Sequence, residues 1–371
     1  MKTSNLTKDQ LKTLAGHVTR LSQLLTRDRD RLPAAYLKDA GLRDAYRTYF
    51  LPPNAKKIEI PLSELALAPG LLGAKDALRV LDLGSGPGTA LIGVLEYFAR
   101  QVQRPSLHCT AVDQVQENLA AAEELFAAER TAQGVPASLR TIRSTIEDTL
   151  RIVAGPFDLI ILSNVLNELF AREGRRIEKR LVVLEEYLTR LLADNGACII
   201  IEPALRETAR DLLLIRDGLL RQGFTIYAPC LCHAPCPALE NPKDWCHEDT
   251  PWDPPAVIEE IDALTGLRKD SLKFSYLTVR KDGRSLSGLY DENAFRVVSE
   301  PLITKGKTEY FLCNARGRRL VVRLDKDVTP VNEIYGSLQR GDVVRLAGAI
   351  DEEKRYKIVK ETGVTMGLQR N

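Results

Sequence analysis

The 371-residue sequence predicts an α/β protein: a helix-covered, mostly parallel sheet, with a helical cap before it and a small β-rich domain after it. Three observations point that way. From about residue 66 to 228, apolar runs such as "LRVLDLG", "SLHCTAVD", "FDLIILSN", "GACIIIEP" and "FTIYAPC" alternate with amphipathic stretches such as "IEKRLVVLEEYLTRLLAD". Interleaving of this kind buries a sheet on both faces. A glycine-rich turn joins the first strand to the first helix of this region, and from about residue 286 short strands separated by Gly, Asn and Asp turns replace the helices, the pattern of a small barrel or sandwich.

Taken in order, "LKTLAGHVTRLSQLL" sets Leu11, Leu14, Val18, Leu21 and Leu25 at helical spacing, and two further short helices follow up to Pro52 and Pro53, which are expected to end the segment. This N-terminal helical region is assigned to residues 1–65, and its Arg27 to Arg31 cluster is a candidate for touching phosphates. The α/β region is assigned to 66–285, where "FTIYAPC" and "KFSYLTVRK" serve as a sixth strand and an antiparallel seventh. Between them lies an insertion, 229–271, expected to hold little regular structure. The C-terminal β-rich domain is assigned to 286–371. A net charge of +2 supplies no global field for nucleic acid or membranes, and no apolar run is long enough to span a bilayer. The N-terminus lacks a hydrophobic signal core, and seven unevenly clustered cysteines do not suit an extracellular disulfide frame, so a cytoplasmic protein is expected.

In "RVLDLGSGPGTALIGVLEYFA" a strand runs into Gly84-Ser85-Gly86-Pro87-Gly88 and then a helix. Gly84 permits the tight turn, Gly86 lets a ligand approach the backbone, and Gly88 lets the helix pack closely on the strand. The helix N-terminus then offers free N–H groups. Asp113 ends the second strand, suited to accept hydrogen bonds from ribose hydroxyls. Ser163 and Asn164 close the fourth strand on the ligand side. Asn167 and Glu168 are placed on a helix just beyond, where either could orient a substrate. The alternative for Asp113 and Asp148 is that they cap turns or helices. With Asp82 two residues before the first glycine, the D-x-G-x-G-x-G pattern resembles the S-adenosylmethionine (SAM) site of Rossmann-like class I methyltransferases. That resemblance implies that Asp82 faces the methionine part of SAM and that Glu147 and Asp148, in "STIED", belong to the adenine loop. Asn164 is not followed by the Pro-Pro-aromatic run of amino-methylating nucleic-acid enzymes, and no general base stands out.

"YAPCLCHAPCPALENPKDWCH" holds Cys230, Cys232, Cys236 and Cys246, with His233 and His247 as spare ligands. So irregular an insert needs a staple to offset its conformational entropy. Four thiolates can hold zinc or an iron–sulfur cluster, although the spacing matches neither a zinc ribbon nor the radical SAM loop; reduced, unliganded cysteines are the other reading. This block, with "LDLGSGPGTA", "IEPALRETAR" and "FSYLTV", resembles the methyltransferase-like assembly factors of the mitochondrial ribosomal small subunit and their bacterial relatives, over about residues 35 to 320. The resemblance implies a [4Fe–4S] cluster on Cys230, Cys236 and Cys246, with Cys313 of "EYFLCNARGRR" as fourth ligand, tying the β-rich part onto the methyltransferase-like domain. Cys232 departs from the family pattern, which runs Cys-Pro-His where this chain has Cys-Leu-Cys-His, so its role stays open.

"NARGRRLVVRL" sets Arg316, Arg318 and Arg319 around a turn, and "LQRGDVVRLAG" resembles a strand of an oligonucleotide-binding (OB) barrel. Such a surface suits RNA, or is a solvated charged hairpin; the family resemblance implies ribosomal RNA of the small subunit. The leading expectation is a SAM-binding assembly factor that methylates ribosomal RNA. The alternatives are a non-catalytic RNA-binding scaffold and a small-molecule methyltransferase with a structural zinc.

Overall fold

The computed structural model describes residues 6–28, 31, 36–68, 70, 75–353 and 355–368. They fall into two compact units. The first comprises Met1–Val165, Leu191–Ala193 and Pro251–Leu272; the second comprises Leu166–Arg190, Asp194–Thr250 and Lys273–Asn371. Within the Arg27 to Arg31 cluster, Arg29 lies outside the described residues. Among the described residues no helix is long and apolar enough to cross a membrane.

In the first unit β1 (Ala77–Leu83), β2 (Ser106–Asp113), β3 (Ala137–Arg143) and β4 (Phe157–Ser163) are parallel, in the order β3-β2-β1-β4. Val80, Leu81 and Leu83 of β1 are fully buried, as a strand covered on both faces requires. The chain leaves β1 toward β2 and β3, then returns to β4 on the other side of β1. That reversal opens a crevice at the carboxyl end of β1, the place where open parallel sheets bind ligands.

Helix Lys8–Thr26 buries Val18 and Leu21 against Leu42, Tyr49 and Phe50. Two expectations are corrected here. Pro52 and Pro53 do not end the segment; they start helix Leu51–Lys56, sitting in its first turn, where the missing N–H costs nothing. The 229–271 insertion is not largely irregular either. Its second half forms helix Ala256–Thr265, closed by Gly266 at φ +72°, and Ile258 and Ile261 join the core around Val18 and Tyr49.

In the second unit β8 (Ser271–Arg280) runs antiparallel to both β5 (Leu192–Pro203) and β6 (Thr225–Ala228), with the short β7 (Glu248–Pro251) beside it. Helices Arg176–Arg190 and Arg206–Arg221 pack together where Gly218 meets Leu181. A second sheet is built from β9 (Ala294–Val297), β10 (Leu302–Thr304), β11 (Lys307–Asn314), β12 (Gly317–Leu324), β13 (Val343–Ala347), β14 (Ile350–Asp351), β15 (Arg355–Ile358) and β16 (Gly363–Leu368). Its order is β14-β15-β12-β11-β9-β13-β16, with β10 paired to β11. The sheet curls into a half-barrel around Phe295, Tyr310, Leu312, Tyr335 and Tyr356. The two-residue strand β14 and three-residue β10 are too short for alternation to show in the sequence.

Gly93 sits in helix Thr89–Ala99 with the Ala55 carbonyl oxygen 2.1 Å and Ile58 Cγ2 2.6 Å from where a Cβ would stand. Backbone cannot swing aside as a flexible side chain does. Gly93→Ala is therefore expected to destabilise the protein by about 2 kcal/mol through overpacking, despite alanine's better helix propensity, read as a lower denaturation midpoint.

Candidate functional site

The crevice at the end of β1 is shaped by three glycines in the left-handed region. Gly84 (φ +64°) has Val165 Cγ2 2.5 Å from where a Cβ would sit, so nothing larger fits the turn. Gly86 (φ +52°) faces open space, leaving its backbone approachable. Gly88 (φ +77°) caps helix Thr89–Ala99 and faces Ala122 of helix Gln116–Gln133 at 3.1 Å. Its close approach is thus to a neighbouring helix rather than, as expected, to the strand.

Asp113 is held firmly. Its Oδ2 accepts the Gly86 N–H at 2.9 Å, and Oδ1 accepts from Val115 N at 2.8 Å and Asn118 Nδ2 at 3.1 Å. The carboxylate thereby ties the glycine turn to the end of β2. Ser85 is buried, its N–H donating to the Val112 carbonyl at 2.9 Å.

Asp82 is the opposite case. It is 1% exposed, and neither carboxylate oxygen has a hydrogen-bond partner. Burial, and then the negative charge of Asp113, push its carboxyl well above the usual range. An unsatisfied buried carboxylate is costly, and here it stands at the ligand crevice. A cationic or N–H-bearing ligand group would relieve it.

Tyr46, which sequence reasoning passed over, belongs to the same wall: its hydroxyl lies 2.8 Å from Thr89 Oγ1, and Asp82 is near enough to help raise its pKa, after burial. Only the abundance of tyrosine in the helical cap hinted at it. Ser163 and Asn164 sit at the end of β4, with Asn164 in the left-handed region (φ +58°) and its Nδ2 3.5 Å from Ser163 Oγ. Glu147 and Asp148 are exposed in the first turn of helix Ile146–Ile152, where Asp148 bonds Thr145, the N-cap, and reaches Arg151 at 3.4 Å. Asn167 and Glu168 lie in turns, not on a helix, because the Leu166 and Asn167 N–H groups are taken by the buried Glu202 carboxylate (2.9 and 3.3 Å) and the helix begins only at Arg176.

A second constellation lies within the second unit. Cys230, Cys232, Cys236, Cys246 and Cys313 line one cavity of about 50 Å³. Alternation along β11 explains Cys313: Tyr310 and Leu312 enter the half-barrel core, which puts Phe311 and Cys313 on the other face. Its register partners, Arg318 on β12 and Arg296 on β9, line the same cavity. The irregular loop is held by helix Arg206–Arg221. Arg210 donates to the carbonyls of Ala238, Asn241 and Asp244 at 3.2, 2.9 and 2.6 Å. Arg216, 1% exposed, donates to Ala234 O at 2.8 Å, to Cys232 O and to Asp217. Asp217 in turn accepts the Cys236 N–H at 3.0 Å, and Ser275 donates to Cys246 O at 3.0 Å.

Burial, and then neighbouring thiols led by Cys230, raise Cys236 to about 12 and Cys246 to about 11, and lift Cys313 well above its ordinary value. Cys232 lines the same cavity and adds to the upward push on Cys313, while its Sγ donates to Ala234 O at 3.8 Å. His233 bonds Ser287 Oγ at 3.1 Å, and His247 stacks on Trp245. No group of three or more His, Cys, Asp or Glu among the described residues is gathered to hold a metal ion. A zinc ion and an iron–sulfur cluster both require their thiolates to converge. The cavity is nonetheless several times the roughly 10–15 Å³ that one water needs, so it offers room for a multi-atom group among the thiols.

The family model "Mitochondrial small ribosomal subunit Rsm22" matches residues 76–329, spanning both the glycine turn and all five cavity cysteines. The chain belongs to the Rsm22 family. No curated protein matches it. Among solved structures, this Rsm22-family chain is similar to a putative class I SAM-dependent methyltransferase from Listeria monocytogenes (12% identity, 72% of this chain and 78% of that one, TM-score 0.38). It is also similar to an rRNA methylase from Streptococcus thermophilus (14%, 59% and 92%, TM-score 0.30) and a putative SAM-dependent methyltransferase from Streptococcus mutans (13%, 56% and 46%, TM-score 0.35). It thus spans less than half the length of the Streptococcus mutans protein.

Because the Asp82 carboxyl holds its proton more tightly folded than unfolded, the native state loses stability as pH rises above the unfolded carboxyl's value of about 4. Asp82→Asn cannot ionise. Its melting temperature is expected to match the wild type near pH 4 and exceed it increasingly toward pH 8, measured without ligand by calorimetry.

Proposed function

We propose that the chain is a SAM-binding assembly factor of the small ribosomal subunit that methylates ribosomal RNA and carries a [4Fe–4S] cluster. One observation carries the SAM reading: the carboxylate of Asp82, at the carboxyl end of β1, is buried without a partner, four residues before Gly86, where an added Cβ would meet nothing. In this reading Asp82 receives the ammonium of the methionine part, and Ser85, Gly86 and Gly88 let that part lie against the turn. Asp113 takes the ribose hydroxyls, Glu147 and Asp148 border the adenine, and Ser163 and Asn164 bound the crevice from β4. Tyr46 and Thr89 close it from the helical side. SAM supplies an electrophilic methyl group; the chain's residues contribute proximity and orientation. Membership of the Rsm22 family supports ribosomal RNA as the acceptor, and the half-barrel, read as OB-like, supplies an RNA-docking surface. The corresponding division is a helical region over 1–65, a methyltransferase-like domain over 66–285 and an OB-like domain over 286–371, with the protein working in the cytoplasm.

For the cluster, the donors fit in kind. Cys230, Cys236, Cys246 and Cys313 are soft thiols around a cavity larger than a single ion needs. The cations Arg216, Arg318 and Arg340 stand close enough to these thiols to favour their ionised forms. Cys232, turned to a backbone carbonyl, is left out. The cluster's contribution is a covalent staple between the loop and β11.

Purified protein incubated with labelled SAM and immature small subunits is expected to methylate RNA and to leave free metabolites unlabelled. Label on metabolites alone overturns the acceptor, and no label on either overturns catalysis. Asp82→Asn is expected to weaken SAM at least about tenfold, the loss of a charge-assisted hydrogen bond. Iron and sulfide analysis should show loss in Cys313→Ser and retention in Cys232→Ser; a colourless preparation containing zinc would sink the cluster.

A further inference from the structure

The thiol cavity of the second unit is lined by more than sulfur. Arg216, Arg318 and His247 stand in its wall beside the cysteines. The terminal nitrogens of both arginines are engaged. Arg216 Nη1 donates to Asp217 and, at 2.8 Å, to Ala234 O, and its Nη2 donates to Cys232 O. Arg318 Nη1 donates to Asp244 Oδ2 at 2.9 Å. The Nε of each arginine is in a different state: it is buried, and among the described residues it has no acceptor. His247 Nδ1 is likewise buried and partnerless, and it is an N–H donor in one of its two neutral tautomers.

A guanidinium is planar and rigid, so bonds at its outer nitrogens also fix the plane in which Nε–H lies. Arg318 is held further by the Phe311 ring, whose centroid lies 4.5 Å from Cζ. Phe311 shares a face of β11 with Cys313, and Cys313 is the register partner of Arg318 on β12. Ion pair, ring and strand pairing thus keep this guanidinium in the wall that carries the fourth thiol. An N–H shut away from water without an acceptor is costly, and two arginine Nε–H groups in the wall of one small cavity call for an acceptor inside it. Charge is not what they have left to offer, because Asp217 and Asp244 already pair with the two guanidiniums. What remains is the Nε–H bond itself. We propose that Arg216 and Arg318 donate their Nε–H groups to the sulfurs of the cluster held in this cavity. The inference rests on the cluster reading above and assigns it a hydrogen-bonding shell. Cluster sulfurs carry more negative charge after reduction, so such donors stabilise the reduced form and raise the reduction potential.

The test uses full-length, iron-loaded protein prepared without oxygen, titrated with dithionite as the electron donor and followed by electron paramagnetic resonance. Arg318→Met keeps an unbranched stem but has no donor. It is expected to lower the one-electron midpoint by about 59 mV or more, a tenfold loss in the reduction equilibrium. Asp244→Asn breaks the same ion pair between loop and hairpin but leaves the Arg318 Nε–H in place, so it should not lower the midpoint. Equal drops in the two variants would mean that Arg318 only anchors the loop, and the proposal would fail. Should Arg318→Met lose its iron, the wild type decides. Protein grown on ¹⁵N-labelled arginine should show a ¹⁵N coupling to the reduced cluster in pulsed resonance, and absence of that coupling overturns the donors. An unchanged midpoint in iron-loaded Arg318→Met overturns them too, with the cluster reading intact. A wild type without iron and sulfide overturns both.

Discussion

Arginine side chains taking main-chain carbonyls are the interaction on which the second unit depends. The loop from Cys230 to Cys246 forms little regular structure beyond the short 3₁₀ turn Pro237–Leu239 and a turn closed by Asp244 N–H to Asn241 O at 3.0 Å, so many of its backbone polar groups need partners from elsewhere. Arg210 and Arg216, six residues apart on helix Arg206–Arg221, supply them, and Asp217 adds an acceptor for the Cys236 N–H. The thiols are positioned by these bonds rather than by any regular element of the loop itself.

The first unit holds two neighbouring carboxyl groups in opposite states of hydrogen bonding. Asp113 has three donors and braces the turn, whereas Asp82, a short distance away, has none. Other charged groups in the same unit are paired, as with Lys75 and Asp158 or Arg47 and Glu124. Because an unpaired buried charge costs free energy, Asp82 keeps its proton more tightly than an exposed carboxyl would.

Membership of the Rsm22 family joins the two constellations in one chain without prescribing the chemistry of either. The parallel strand order around β1 supplies the crevice, and the half-barrel supplies Cys313 through a two-residue alternation. Each feature is built from residues of its own compact unit.

Most of the longer strands, the glycine turn and the β-rich character of the C-terminal part were legible in the sequence because periodicity and the left-handed preference of glycine act locally, whereas Ala137–Arg143 and Gly363–Leu368 were not singled out. Helix Ala256–Thr265 was concealed by the cysteines and prolines around it, although its apolar spacing and Gly266 were there to be read. Pro52 and Pro53 misled because proline both ends helices and starts them, and only the chain that follows decides which. The order of strands, the partnerless state of Asp82, the reach of Tyr46 to Thr89 and the grip of Arg210 and Arg216 were decided by tertiary structure alone. Each joins residues distant in sequence or depends on which groups are shut away from water, and no local pattern encodes that.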